Sequence, residues 1–289
     1  MASTEAAAYY PRVLRIGEIL RRSRMASAGL TLGAVLVALA AFAPLVATAD
    51  PTAMDFNAPF ARPGLAHPFG ADNFGRDVFS RVLFGYRTSL LVAAGSVGLA
   101  LLFGTPLGLV AGFVGGITDH VIMRPMDALM AFPAILLTVS FAGVVGASTG
   151  VLIVVIAVVY LPIIARTMRA STLAVRAEPF VEGARSRGAS PLRLMARHVV
   201  PNAMDPVLIQ ASVLMGIAIL IEAALSFIGL GTQPPHPSLG LMLADGRDIM
   251  RDAPWVVIFP GLAIVLAVLS FNLVADGLRD VLDPRGALR

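Results

Sequence analysis

The sequence predicts an all-α integral membrane protein with six transmembrane helices. Of its 289 residues 57% are hydrophobic and only 14% charged, the mean hydropathy is +0.82, and charge-free runs long enough to cross a bilayer recur along the chain. Soluble domains average about 25% charged residues, so this chain lacks the charge to solvate a water-facing surface. Its length is therefore counted in spans of about 20 residues each. Gly (27) and Pro (20) are abundant without any repeat, which excludes a collagen-like or linker-like reading and suits closely packed or bent membrane helices.

Each span follows from a gap between charges, because a charge at the bilayer centre is costly and rare. Residues 25–49 are uncharged and make the first helix; the uncharged run 88–118 holds the second. Residues 128–165 are too many for one helix and slightly few for two, so Gly146-Ala147-Ser148-Thr149-Gly150 should be a tight turn between helices three and four, with Asp127 inside the third. The fifth span covers about 206–230 and tolerates Glu222; the sixth covers 253–275. All 22 basic residues are Arg, and with the N-terminus inside, 16 fall in inside segments and six outside. The positive-inside rule then puts both termini in the cytoplasm. Arg-rich residues before an apolar run ending Ala47-Thr48-Ala49 raise a signal peptide, but the run far exceeds an h-region of about 7–15 residues, so it reads as an uncleaved anchor. The expected organisation is a cytoplasmic segment 1–24, a first span 25–49, an extracellular loop 50–87, a core 88–280 and a tail 281–289.

Cysteine is absent and the four His (67, 120, 198, 236) are scattered, which excludes disulfides, thiolate sites and a visible metal cluster. With no Lys there is no phosphate-binding Gly-x-x-x-x-Gly-Lys.

Between the fourth and fifth spans, residues 166–200 read as two short helices. Pro179 suits a first turn, Gly188 a left-handed C-terminal cap, Ser190 an N-cap and Pro191 the next first turn. Glu182, Arg185, Arg187, Arg193 and Arg197 decorate them. From the residues alone this is either a basic surface resting on lipid headgroups or a rigid protrusion for a cytoplasmic partner. A DNA-reading helix-turn-helix is disfavoured by the tether between two spans, so no nucleic-acid partner is expected. Gly104, Gly108, Gly112 and Gly116 form a small-residue seam on the second helix for close backbone approach.

The segment Glu178-Pro-Phe-Val-Glu182-Gly183-Ala184-Arg185-Ser-Arg-Gly188-Ala-Ser-Pro191-Leu, ending Pro201-Asn202, resembles the "EAA" loop of ABC importer permeases, with Gly183 where that pattern has its first Ala. His67-Pro-Phe-Gly70-Ala-Asp72-Asn-Phe-Gly75-Arg76-Asp77, then Leu225-Ser-Phe-Ile-Gly229-Leu-Gly231, Pro254-Trp255 and Asp276-Gly277-Leu-Arg279-Asp280, are similar to the C-type permease subunit of dipeptide and oligopeptide systems, where Ala71 is usually Thr. The resemblance covers most of residues 67–285. It implies a type I ABC importer (MetI-like) permease fold. It also implies a coupling loop at 176–200 in which Glu182, Gly183, Ala184, Arg185, Gly188 and Pro191 meet an ATPase. The implied partners are a second homologous permease in a heterodimer, two cytoplasmic ATP-binding subunits and an extracellular or periplasmic peptide-binding protein, all at the inner membrane. ATP and Mg then belong to the partner ATPases and this chain binds no cofactor; it is a mechanical element and not an enzyme, working by alternating access.

Single residues carry further expectations. Glu222 at mid-span is either hydrogen-bonding glue to another helix or a gate or pathway residue. Asp127 pairs with Arg124 one turn earlier, as a helix-end anchor or a gate. Asp72, Arg76, Asp77 and Arg81, interleaved with Phe74, Val78, Phe79 and Val82, suggest an interfacial helix on the outer face. Asp72, Arg76, Asp77, Asp245 and Arg247 are candidate contacts for the binding protein, and the loop 231–254 for the outer gate. Trp255 reads as a membrane-interface anchor. Cargo alternatives are nickel, glutathione or another small solute. An ion-coupled secondary transporter using Glu222 and Asp127 is a different class, disfavoured by the lack of internal repeats, and an intramembrane hydrolase is disfavoured by the lack of a His-containing motif within a span.

Overall fold

A computed structural model describes residues 24–282. The expectations for the N-terminal segment before Arg24 and for the tail beyond Leu282 lie outside the described residues. The elements are α1 (Arg24–Ala41), extended by one further turn at Ala43–Val46, α2 (Val78–Val114), α3 (Gly116–Met130) and α4 (Ala134–Val145). They continue with α5 (Thr149–Arg176), α6 (Pro179–Ser186), α7 (Pro191–Phe227), α8 (Leu239–Gly246) and α9 (Trp255–Leu282). Five of these are long and apolar enough to cross a membrane, and the bent pair α3–α4 makes a sixth. Among the described residues there is no strand, only an isolated bridge between Ala71 and Asp77.

The core is the packing of α2 on α5, and glycine explains how close it is. A Cβ on Gly104 would lie 3.0 Å from the Leu161 carbonyl oxygen, one on Gly108 2.9 Å from the Met168 Cβ, and one on Gly112 2.8 Å from the Arg169 carbonyl oxygen. Three of the four seam glycines thus face α5. Gly116 does not: it lies beyond the helix with φ +58 and no neighbour within 4 Å, so its glycine serves the turn. Replacing Gly108 by Leu should force the two helices apart and destabilise the bundle by on the order of 3 kcal/mol. Replacing Gly98, a helical position whose Cβ would meet nothing within 4 Å, by Ala should raise stability by about 0.5–1 kcal/mol. Thermal unfolding in detergent compares the pair. α1 lies along α9 by the same device, Gly29 against Leu273 and Gly277 against Ala26.

Three expectations change. The interfacial helix is not a separate element: residues 78–87 are the first turns of α2, and Arg81 is buried at 1% exposure. The third span is not one straight helix; it bends by 86° between α3 and α4, where Pro133 cannot continue a helical hydrogen-bond ladder. The second short helix of the 166–200 segment does not end before the fifth span. It runs through a π-helical turn, Met195–Val199, into one helix from Pro191 to Phe227.

The expected turns elsewhere are present. Gly146 has φ +106, and Ser148 caps α5 by accepting the Val151 N–H. Arg176, at the last turn of α5, donates to the Phe113 carbonyl at 2.6 Å, so the ends of α2 and α5 meet at the end of the bundle that carries α6.

Candidate coupling surface, buried carboxyl and polar network

The first short helix and the glycine turn after it are present as expected. Pro179 opens α6, Gly188 takes φ +81, and the Ser190 hydroxyl accepts the Arg193 N–H to start α7. The underside, Val181, Ala184, Leu194 and Val199, is buried in the main core, which fixes the pair to the bundle. The outer side exposes Glu182, Arg185, Arg187, Gly188, Pro191 and Leu192, the last at 73%. Ala184 therefore faces the core, and only the others are open to a partner. A Cβ on Gly183 would meet nothing closer than the Arg187 guanidinium at 3.8 Å, so alanine fits there. Gly188 has open space around its missing Cβ, and its positive φ alone accounts for glycine.

Glu222 is fully buried in α7. Its Oε2 accepts the Ser89 hydroxyl of α2 at 2.6 Å, and its Oε1 accepts those of Ser226 at 2.8 Å and Ser238 at 2.9 Å. Ser238 is also the N-cap of α8, and the Ser226 hydroxyl accepts the Thr232 N–H at 3.2 Å. One carboxyl thus ties α2, α7 and the segment 226–241 together. Gly240 presses α8 against the Ala223 backbone beside it, where a Cβ would lie 2.7 Å from the Ala223 Cα.

Asp127 pairs with Arg166 of α5, not with Arg124; the partner is 39 residues away and no sequence spacing announces it. Asp119 likewise accepts Nε and Nη2 of Arg169 at 2.5 Å each. Among the described residues, Asp127 and Glu222 share no hydrogen-bond or ion-pair partner.

The opposite end of the bundle holds a buried polar network. Asp72 accepts the N–H of Phe74 and Arg76 through Oδ1 and the Arg76 Nε at 2.6 Å through Oδ2, with the Arg81 Nε 3.7 Å away. Arg76 reaches Asp245 at 3.4 Å, and Arg81 donates to the Pro51 carbonyl at 3.1 Å. Asp77 caps α2 and accepts from Ser80 (N–H 2.8 Å, hydroxyl 2.7 Å) and Thr48 at 2.8 Å, with the His67 Nδ1 at 3.0 Å. Asp72, Arg76 and Asp77 are thus engaged inside the chain, at 3%, 8% and 2% exposure. Asp245 joins them, whereas Arg247 pairs with its neighbour Asp248 in the open. The Trp255 indole donates to the Ala71 carbonyl at 3.0 Å and closes over Gly70, so it clamps the segment before α2 instead of serving only as a lipid anchor.

Burial works to raise the Asp77 carboxyl, but the Ser80, His67 and Thr48 hydrogen bonds outweigh it and hold the group below its ordinary value. Because its folded value is depressed, its stabilisation is present above the ordinary carboxylate range and is lost as pH falls through the folded value. Replacing Asp77 by Ala should destabilise the segment before α2 by about 2 kcal/mol and remove that acid-dependent part of the unfolding profile, as read by proteolysis of the segment across pH.

The fold is thus a bundle of helices long and apolar enough to cross a membrane, with a folded unit of exposed charge at one end. Residues 104–287 match the binding-protein-dependent transport system inner membrane component family, and residues 15–64 match the N-terminal TM domain of oligopeptide transport permease C. The chain belongs to the former family, the membrane permeases of ABC importers, whose members work with ATPase and substrate-binding partners. It is 43% identical over 275 residues (95% of this chain, 92% of the other) to a Brucella suis protein assigned as a peptide transport system permease. It is 41% identical over 266 residues (92% and 88%) to the dipeptide transport system permease protein DppC of Alkalihalophilus pseudofirmus. To the glutathione transport system permease protein GsiD of Pectobacterium atrosepticum it is 44% identical over 223 residues (77% and 74%). The fold is similar to that in the inward-facing MetNI methionine ABC transporter, with TM-score 0.59 and 18% identity, covering 70% of this chain and 97% of that one.

Proposed function

We propose that this permease imports short peptides, dipeptides and oligopeptides, delivered by a binding protein outside the membrane and released in the cytoplasm. The observation that carries the ATP coupling is the rigid surface of α6 and the start of α7. Its underside is buried in the core and its Glu182, Arg185, Gly188, Pro191 and Leu192 are exposed, so a push on it moves α5 and α7 together. Glu182, Gly183, Arg185, Gly188 and Pro191 form the contact with the ATPase, and Ala184 seats it. The cargo reading is supported by relatives named for peptide and dipeptide transport. A second reading, glutathione, is favoured by the relative named for it and is chemically adjacent, because glutathione is itself a small peptide. In this reading the coupling-loop end and both termini face the cytoplasm, a second homologous permease completes a heterodimer, and residues 88–280 form the core that moves. Glu222 acts as structural glue for the outer half, and Asp127 anchors α3 on α5.

Co-reconstitution into vesicles with two ATPase subunits, the second permease and the binding protein tests it. Uptake of radiolabelled dipeptide that requires both ATP and the binding protein is the expected result. Uptake of nickel or glutathione that excess dipeptide does not compete away would replace the cargo.

A further inference from the structure

The flank shared by α3 and α5 carries five charged side chains in a chain otherwise poor in charge. Asp119 with Arg169 and Asp127 with Arg166 form ion pairs, and together with Arg124 and His120 they line an open cavity of ≈ 480 Å³. Arg169 and Arg166 sit roughly 10 and 15 Å up α5 from Arg176 at its end, at 1.5 Å per residue. Asp127 and Arg166 still expose 50% and 47% of their side chains. Charged groups on spans turn toward protein or water and away from hydrocarbon.

A second observation falls one turn further on. At the bend between α3 and α4 the chain leaves helical geometry at 131–133, and residues 130–136 are all exposed, Phe132 and Leu136 at 61%. The N–H groups of Ala134, Ile135 and Leu136 have no acceptor among the described residues. Non-helical backbone at membrane depth is tolerated only where it meets protein or lines a water-filled cavity. Open charge and open backbone thus mark the same flank as one that meets water or a protein partner and not hydrocarbon. The exposed stripe of α9, Ile258, Leu262, Val265 and Leu269, is unbroken and uncharged and suits lipid.

The charges in the cavity do not balance. The two carboxylates are taken by Arg166 and Arg169, and Arg124, exposed on the cavity wall, has no carboxylate partner among the described residues. The cavity therefore carries one unanswered positive charge in a volume within the usual range for small ligands, about 300–1,000 Å³. A guanidinium binds a single oxyanion in two-point fashion. We propose that this flank lines the water-filled path and that Arg124 receives the carboxylate terminus of the cargo there. The proposal rests on the peptide-import reading and names a contact for that cargo.

The absence of native Cys makes the test direct. In the reconstituted full transporter, Phe132→Cys and, as a lipid-facing control, Val265→Cys are treated with a charged, membrane-impermeant thiol reagent in the ATP-free and ATP-trapped states. Phe132→Cys should label in at least one state and Val265→Cys in neither. Dipeptide at about ten times its Kd should slow labelling at Phe132→Cys by about tenfold, because only the unoccupied fraction reacts. That protection should vanish in Arg124→Gln and should not be given by the C-terminally amidated dipeptide. If Phe132→Cys stays closed to the charged reagent in both states, the flank is dry and the proposal fails. If Arg124→Gln keeps the protection, or the amidated peptide protects equally, the carboxylate contact fails. If labelling at Phe132→Cys responds to anionic lipid content and not to peptide, the oxyanion is a headgroup and the contact fails likewise. ATP-driven dipeptide uptake by the unmutated complex, measured in parallel, fails separately if the import reading itself is wrong.

Discussion

Replacing Glu222 by Leu should lower the stability of the purified permease by about 3 kcal/mol, because it strips the shared acceptor from three buried hydroxyls. Ser89 and Ser226 lie within helices and can turn back to a backbone carbonyl one turn earlier, which limits the loss. Ser238, a cap at the start of α8, has no such recourse, so the loop 231–254 should be the first region to become protease-sensitive. Glu222→Gln keeps one acceptor oxygen and adds donors that the serine oxygens can take, so it should retain assembly and most transport. Thermal unfolding and vesicle uptake of both variants decide between the two roles. Transport that tracks stability supports a structural carboxyl. An assembled Glu222→Gln complex that transports nothing would make Glu222 a gate.

Charge reversal at the coupling surface should abolish transport without unfolding the permease. Glu182 is exposed and Leu192 is 73% exposed, so Glu182→Arg and Leu192→Asp should each leave the stability within the range of ordinary surface changes, about ±0.5 kcal/mol. An ATPase cleft shaped for an anion and an apolar tip would lose both, and coupled uptake should fall by about a hundredfold if the contact contributes about 3 kcal/mol, as interface hot spots do. Gly188→Val acts differently: it places a β-branched residue at φ +81, where strain of about 1–2 kcal/mol opposes the turn. It should misalign the two helices and uncouple ATP hydrolysis from uptake while ATPase binding persists in part. ATP turnover measured beside uptake separates release from misalignment.

Much of this was legible in the residues because the signals are local. Charge-free runs located the spans, and Pro179, Gly188, Ser190 and Pro191 located the helix–glycine–helix unit, since caps and turns are decided within a few residues. What failed was long-range or hidden by the charge rule. Arg81 and Arg87 place the second span after them, but the helix that carries it begins earlier, at Val78, with Arg81 buried near Asp72 in its first turn, so a paired charge does not end a helix. Pro133 carried the signal for the α3–α4 bend, but a run counted by its charges conceals it. Arg166 for Asp127, and Ser89 and Ser238 for Glu222, are brought together only by the packing of α5 on α3 and of α2 and α8 on α7. Arg124 was the nearest base in sequence to Asp127 and has no carboxylate partner among the described residues.

The most direct test of ATP-coupled import is affinity purification of this chain from native membranes in mild detergent, with mass spectrometric identification of stoichiometric partners, beside Glu182→Arg. Co-purification of P-loop ATPase subunits and a second permease with the wild type, and release of the ATPases alone from the variant, is the predicted result. A wild-type chain that purifies without an ATPase, and still moves solute across vesicles lacking ATP, would contradict it.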